Sequence, residues 1–262
     1  MTALAILELT NSAARWETWS ALAWADTKSR YRRTTIGPFW LTLSTGAMVG
    51  SVGILYAGLF GSDITQYLPF LGVGMIVWTF INSVITEGCN VFIAAAGYIK
   101  SVPLPVAAPV YRLLARNAII LAHNAVLIIV LWLMFRWPIG LDAAFAVLGF
   151  LIALVAVAGV ALTLGILCAR FRDIPQIVMA ITQLLFLLTP IMWMPSTLKS
   201  PALAVVIEWN PIYHLIEVIR GPLLGQTPAV EIWIKAMLLA LASLAIGVAS
   251  YEKFRHRVAY WL

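Results

Sequence analysis

An all-α protein that crosses a membrane several times is the fold class this sequence predicts, and three observations carry it. Of the 262 residues 62% are hydrophobic and only 11% charged, with a mean hydropathy of +0.95. That leaves too little polar surface to coat a water-soluble globule. Apolar runs of about 20 residues, the length that takes a helix across roughly 30 Å of hydrocarbon, recur six times, near 39–60, 66–86, 117–135, 143–167, 176–195 and 234–251. The basic residues between those runs are strongly skewed. An even number of spans returns both termini to one side, and a cytoplasmic N-terminus places Arg15, Lys28, Arg30, Arg32, Arg33, Lys100, Arg112, Arg116, Arg170, Arg172, Lys253, Arg255 and Arg257 inside. Only Arg136, Lys199, Arg220 and Lys235 of the 17 Lys and Arg then lie outside, the asymmetry that orients multi-span proteins.

The chain divides into a cytoplasmic N-terminal segment, 1–36, and a single six-helix membrane domain, 37–262. The N-terminus has no basic start, and Glu8 interrupts the apolar run Ala3 to Leu7, so a cleaved signal peptide is not expected. Trp16, Ser20, Ala23, Trp24, Thr27 and Tyr31 recur at three- and four-residue steps on a charge-free face. They predict an interfacial helix on the inner leaflet, with the rings at headgroup depth, or a cytoplasmic helix packed on a neighbouring subunit. From Lys28 to Trp40 the sequence changes character: Arg30, Arg32 and Arg33 favour an anionic surface at roughly 1 kcal/mol each. Beyond the Gly37-Pro38 turn the chain carries no formal charge until Asp63, as hydrocarbon requires, since a central Arg or Lys costs about 2.5 to 3.5 kcal/mol there.

Gly46, Gly50, Gly53 and Ala57 give the first span a small-residue strip for close packing. The second span carries Thr79, Asn82, Ser83, Thr86 and Asn90 at helical spacing, with Glu87 nearby. A polar stripe in lipid must meet protein or water, which leaves two readings, interhelical contact and pathway lining. Pro103, Pro105 and Pro109 break the segment after span two. The residues after Pro109 form a short helix with Arg112 and Arg116 on one face, making a structured elbow from Lys100 to Arg116. Between spans four and five, Asp173 is placed to cap a helix with Pro175 in its first turn, and Pro190 and Pro195 predict a kink or stop at the outer end of span five. Asn210-Pro211, then Ile212, Leu215, Ile216 and Ile219, then Gly221-Pro222 read as a complete short amphipathic helix with cap, apolar face and glycine stop. His214, Glu217 and Arg220 fall on its other face, as a solvated network.

Several chemistries find no support. There is no Gly-x-x-x-x-Gly-Lys-Ser/Thr loop to cradle a nucleotide's phosphates and no Gly-x-Ser-x-Gly elbow. Cys89 and Cys168 lack metal-ligand companions, and the scattered Lys and Arg form no continuous basic face for nucleic acid. His123, the one histidine within a span, reads as a packing or hydrogen-bonding residue. Spans one, three, four, five and six contain no Asp, Glu, Lys or Arg in their interiors, so energy for any transport must come from a partner at the cytoplasmic face.

The ordered set Asp26-x-Lys28-x-Arg30-Tyr31-Arg32, Ile36-Gly37-Pro38-Phe39-Trp40, Gly74 with Trp78, Tyr98-Ile99-Lys100-Ser101-Val102-Pro103-Leu104-Pro105, Ala169-Arg170-Phe171-Arg172-Asp173, Thr189-Pro190-Ile191 and Asn210-Pro211-Ile212-Tyr213-His214 resembles the membrane subunits of type-2 ABC exporters of polysaccharides such as O antigen, capsule and teichoic acid. The resemblance covers nearly the whole chain; Leu43-Ser44-Thr45 departs from the leucine-proline pair common in that family. It implies an ATP-driven permease subunit in a bacterial inner membrane, with cytoplasmic termini and no cofactor of its own. It implies a second copy of this chain, two copies of a separate nucleotide-binding subunit that holds ATP and Mg, a lipid-linked glycan as substrate, and membrane lipids around it. By the same resemblance Lys100, Pro103, Pro105, Arg112 and Arg116 form the coupling helix, with Arg170, Arg172 and Asp173 beside it. Trp78, Thr79, Phe80, Asn82, Ser83, Thr86, Phe186, Trp193 and Tyr213 become candidates for the substrate path, the aromatics competing with a role as interfacial belts. Trp16, Trp24, Arg30, Tyr31, Arg32, Arg33, Gly37 and Pro38 become the interfacial helix and hinge, and the helices between spans five and six become re-entrant. The alternatives are a type-2 exporter of a lipid or drug, and a polytopic enzyme acting on lipid-linked sugars through His214, Glu217 and Arg220.

Overall fold

The computed structural model describes residues 2–30, 39–101, 106–195 and 201–262, and among these every regular element is helical. Tyr31, Arg32, Arg33, Gly37, Pro38, Pro103 and Pro105, with the expectations attached to them, lie outside the described residues, as does the side chain of Arg30. Two N-terminal helices, α1 (Thr2–Ala14) and α2 (Trp16–Arg30), precede α3 (Phe39–Phe60) and α4 (Ile64–Gly88). Short helices α5 (Val91–Ala94) and α6 (Ala96–Ser101) lead to α7 (Ala108–Phe135), α8 (Phe145–Arg170) and α9 (Ile174–Leu188). Then come α10 (Pro201–Trp209), α11 (Pro211–Leu223) and the terminal α12 (Val230–Trp261).

Five helices, α3, α4, α7, α8 and α12, are long and apolar enough to cross a membrane. The fifth predicted run, 176–195, is helical only to Leu188. At 15 residues α9 extends about 22 Å, because the chain turns extended at Thr189, before Pro190, and runs on without regular helix to Pro195. The predicted elbow also divides differently: α7 starts at Ala108 and continues without a break through Arg112 and Arg116 into the membrane span.

The second predicted span, α4, is the axis of the bundle, contacted by α3, α7, α8, α9 and α11. It starts after a left-handed Gly61 (φ 59°), with Asp63 as its cap: Oδ1 accepts from the Thr65 amide at 2.9 Å. That backbone bond, and then one from the Thr65 hydroxyl, holds the Asp63 carboxyl below the ordinary carboxylate range. Val49, Gly53 and Ala57 of α3 are buried on this axis, with Gly53 against Leu68 and Leu71, so part of the small-residue strip packs as expected. A Cβ on Gly50 would meet no described residue within 4 Å. The most extensive pairing is α8 with α12: a Cβ on Gly159 would lie 2.3 Å from the Ser243 carbonyl oxygen, and one on Gly247 would lie 2.7 Å from that of Gly159. Only glycine allows backbones so near.

The N-terminal helices are clasped to this bundle. Glu8 of α1 pairs with Arg255 of α12 at 2.7 Å and accepts from the Tyr251 hydroxyl at 3.3 Å, and the Tyr111 hydroxyl donates to the Leu9 carbonyl at 3.1 Å. The charge read as an interruption is therefore a fastening point. In α2, Ala23 and Thr27 are buried, Trp19 stacks on Tyr111 at 6.0 Å, and Trp16 and Trp24 remain exposed. One side of α2 thus packs on α7 while two rings stay free for an interface. His123 meets the Ile119 carbonyl at 2.8 Å, the local bonding role expected of it.

Candidate functional site

Between Tyr67 and Cys89, α4 is buried at every position but Thr79, Asn82, Ser83, Thr86 and Glu87. Their three- and four-residue spacing puts them on one face. The Thr79 and Thr86 hydroxyls donate to the Met75 and Asn82 carbonyls of their own helix at 2.7 and 2.8 Å, and the side chains of Asn82 and Ser83 have no hydrogen-bonding partner among the described residues. Apart from Glu87, the stripe is therefore a row of uncharged hydrogen-bonding groups on the open side of the most enclosed helix. Among the described residues, no other helix supplies a hydrogen bond to Thr79, Asn82, Ser83 or Thr86. Trp78 borders the stripe and packs on Phe186 of α9, ring centroids 5.5 Å apart. Phe80 does not belong with it: it is 3% exposed and packs on Phe150 of α8 at 5.4 Å, two residues from Trp78 and on the core side. Trp193 is half-buried, its Nε1 donating to the Leu187 carbonyl at 3.2 Å.

At the end of the stripe nearest the termini, Glu87 accepts from Arg116 Nη2 at 2.5 Å and from Asn117 Nδ2 at 3.0 Å. Arg116 also lies 3.6 Å from Asp26, whose carboxylate takes both Nε (2.7 Å) and Nη2 of Arg112. Four charges thus join α2, α4 and α7 around a cavity of about 460 Å³ that Thr86 and Asn90 also line. Arg112 and Arg116 turn toward this node, not outward from an elbow. Of the residues expected at a partner's contact, Lys100 at the close of α6, Arg170 at the end of α8, and Arg172 and Asp173 before α9 are exposed. Arg170 lies over the rings of Phe171 and Trp261, 5.2 and 5.3 Å from their centroids. Asp173 takes the position before α9 as predicted, with Pro175 in the first turn, yet its side chain makes no capping bond. Because the node is only partly enclosed, Asp26→Ala and Arg112→Ala are each expected to cost about 1 to 2 kcal/mol. Thermal unfolding of the purified chain should show the double variant about 1 kcal/mol less destabilised than the sum; strict additivity would mean that the pair is uncoupled.

At the opposite end α11 is held as its local sequence predicts. Asn210 Oδ1 accepts from the Ile212 and Tyr213 amides at 3.0 and 3.2 Å, and its Nδ2 reaches Thr189 Oγ1 at 2.9 Å, tying α11 to the end of α9. Ile212, Leu215, Ile216 and Ile219 are buried. Two expectations need correcting. The helix passes through Gly221 and Pro222 to Leu223, with the left-handed glycine at 225 (φ 72°). His214 and Arg220 are not solvated: Arg220 is 1% exposed. Its Nη1 donates to the Pro190 carbonyl at 2.7 Å, its Nε and Nη2 reach Glu217 Oε2 at 3.0 and 2.5 Å, and its guanidinium lies 3.8 Å from the centre of the Phe70 ring. His214 Nε2 lies 2.9 Å from the Glu208 carbonyl. The start of α4 and the end of α9 cover the face that a lone helix would leave wet. Gly74 supplies the room, since a Cβ there would come within 3.3 Å of Arg220 Nη1. Arg220 is tied to Glu217 and His214 is aimed at a backbone carbonyl; no group of three His, Cys, Asp or Glu side chains among the described residues has metal-site geometry.

Two proteins to which the chain is similar are export permeases by name. The O-antigen export system permease protein RfbA of Klebsiella pneumoniae is 23% identical over 241 residues, 89% of this chain and 90% of that one. Its namesake from Myxococcus xanthus is 22% identical over 198 residues, covering 75% and 76%. Residues 17–224, which hold the polar stripe, the charged node and the Arg220 junction, match the family described as ABC-2 type transporter. This multi-pass membrane chain belongs to the ABC-2 type transporter family.

Proposed function

We propose that this chain is the membrane permease subunit of an exporter that moves a lipid-linked polysaccharide out of the cytoplasm through a bacterial inner membrane. The observation that carries the reading is the uncharged stripe Thr79, Asn82, Ser83 and Thr86 on the open face of α4. A hydroxyl-rich polymer needs donors and acceptors along its way and gains little from fixed charge, and such a stripe in a membrane has to face water or protein. The relatives named as O-antigen export permeases support the polymer as substrate. The path is completed by a second copy of the chain. Supporting this, α9 beside the stripe has a single buried residue, Thr182, and leaves Ile177, Ile181, Leu184 and Leu188 exposed. ATP and Mg are held by a separate nucleotide-binding subunit, present twice, which docks where Lys100, Arg170, Arg172 and Asp173 face outward and pushes on α4 and α7 through the Asp26–Arg112–Arg116–Glu87 node. Both termini then lie in the cytoplasm.

Depletion of this chain in its host tests the reading. The expected result is loss of surface polysaccharide with lipid-linked polymer accumulating inside, and recovery of an ATPase subunit when the tagged chain is purified. Surface polysaccharide unchanged by depletion, with loss of a lipid or drug efflux activity instead, rejects it.

A further inference from the structure

At the end of the bundle away from the termini lies a cavity of about 640 Å³, where the start of α4, the turn after α7 and the outer face of α11 meet. The groups that matter are Gln66, Trp137, Tyr213, Glu217, Arg220 and Gln226. Two other cavities of similar size, one between α8 and α12 near Phe145 and Met237 and one beside α1 near Ile6 and Val248, have almost wholly apolar walls and suit lipid tails. This one mixes aromatic rings with planar polar groups. We infer that it is a carbohydrate subsite that holds one or two uncharged pyranose units of the polymer in passage, an inference that rests on the polysaccharide reading above.

A pyranose presents an apolar face of C–H groups and a rim of hydroxyls, each both donor and acceptor. Trp137 matches the first feature: its Nε1 is fixed to the Leu223 carbonyl at 2.9 Å, so the edge is occupied while the ring is held in place. Phe70 is excluded as a platform because the Arg220 guanidinium occupies its face. Tyr213 is the second aromatic, and its hydroxyl makes no hydrogen bond among the described residues. The amides of Gln66 and Gln226 are exposed and likewise without side-chain partners among those residues, and each offers a carbonyl oxygen and an NH₂ to the sugar's rim. Glu217 meets Arg220 through Oε2, which leaves Oε1 to accept one more hydroxyl. Because the Arg220 charge is balanced by Glu217, the cavity favours neutral sugars over anionic ones. Its volume lies within the roughly 300 to 1,000 Å³ of small-ligand sites. Its position also fits, since Gln66 and Phe70 belong to the same helix as the stripe that begins at Thr79.

The test uses the purified complex of this chain with its ATPase subunit in lipid nanodiscs, and as probe the host strain's own surface polysaccharide, freed of lipid by mild acid and labelled at its reducing end. Wild type is expected to bind the probe, Trp137→Ala and the double variant Gln66→Ala/Gln226→Ala to bind at least ten-fold more weakly, and Trp137→Phe, which keeps a ring face, to stay within about three-fold. The glutamine pair is exposed, so its replacement reports on binding without disturbing the core. No binding by wild type, or equal binding by all variants, overturns the subsite. The two readings fail separately: surface polymer that persists without this chain defeats the export function, whereas polymer that depends on the chain while binding ignores these substitutions defeats the subsite alone.

Discussion

Simultaneous replacement of Thr79, Asn82 and Ser83 by leucine is expected to lower surface polysaccharide by more than ten-fold while the amount of chain in the membrane stays close to wild type. The first half follows from the chemistry of the stripe. Each hydrogen bond that a passing polar group fails to make in a low-dielectric path costs about 1 to 3 kcal/mol, and about 1.4 kcal/mol of added barrier is already a factor of ten in rate. The second half follows from burial: these three positions are among the five between Tyr67 and Cys89 that α4 does not bury against its own chain, leucine is a good helix former, and no side-chain partner among the described residues is lost with Asn82 or Ser83. Quantitative blotting of membrane fractions beside gel analysis of surface polymer separates the two effects. Normal polymer in the triple variant would sink the assignment of this face to the path, and loss of the chain itself would mean that the face is packed by a partner. Phe80→Leu provides the contrast. Phe80 sits in the core against Phe150, so its replacement is expected to lower stability rather than to obstruct passage selectively.

How far these features were legible in the sequence depends on how local their causes are. The cap and apolar face of α11 were fully legible, because Asn210, Pro211 and the spacing of Ile212, Leu215, Ile216 and Ile219 act within one helix. The stripe was legible as polar spacing, but choosing between glue and lining needed the neighbours: residues between Thr79 and Glu87 such as Phe80, Ile81, Val84 and Ile85 are covered, and the polar ones are not. The directions of Arg112 and Arg116 were not legible, because their partners Asp26 and Glu87 lie 86 and 29 residues away in the chain. Helix α1 was missed for a related reason. Its one charge, Glu8, is satisfied by Arg255, at the far end of the sequence. The early end of α9 was signalled by Pro190, yet an apolar run of adequate length outweighed it in the count of spans. The burial of Arg220 had one sequence-level sign, the glycine at 74, whose meaning depends on knowing that α4 and α11 are in contact.

Arg220 is also where a single substitution is expected to damage the fold most. Its guanidinium joins three segments: the Pro190 carbonyl after α9, Glu217 of α11 and the Phe70 ring of α4. Removing one member of a buried ion pair strands the other, at a cost of about 3 to 5 kcal/mol; here Arg220→Ala leaves Glu217 with 16% of its side chain exposed and no counter-charge. Lysine at 220 keeps the charge and loses the fork. A single ammonium cannot bond the Pro190 carbonyl, engage Glu217 twice and lie flat on Phe70, so Arg220→Lys is expected to cost about half as much. Glu217→Ala in the Arg220→Ala background should recover part of the loss, since it removes the stranded carboxylate. Thermal unfolding of the purified variants, followed by gel filtration of the surviving fraction, gives the ranking directly. An Arg220→Ala chain as heat-stable as wild type would show that the junction contributes nothing net, leaving the Asn210–Thr189 bond as the tie between α11 and the end of α9. If the ranking holds, a buried cation fastens the end of the bundle away from the termini, and any motion that opens this end has to carry α4, α11 and the end of α9 together or break those contacts.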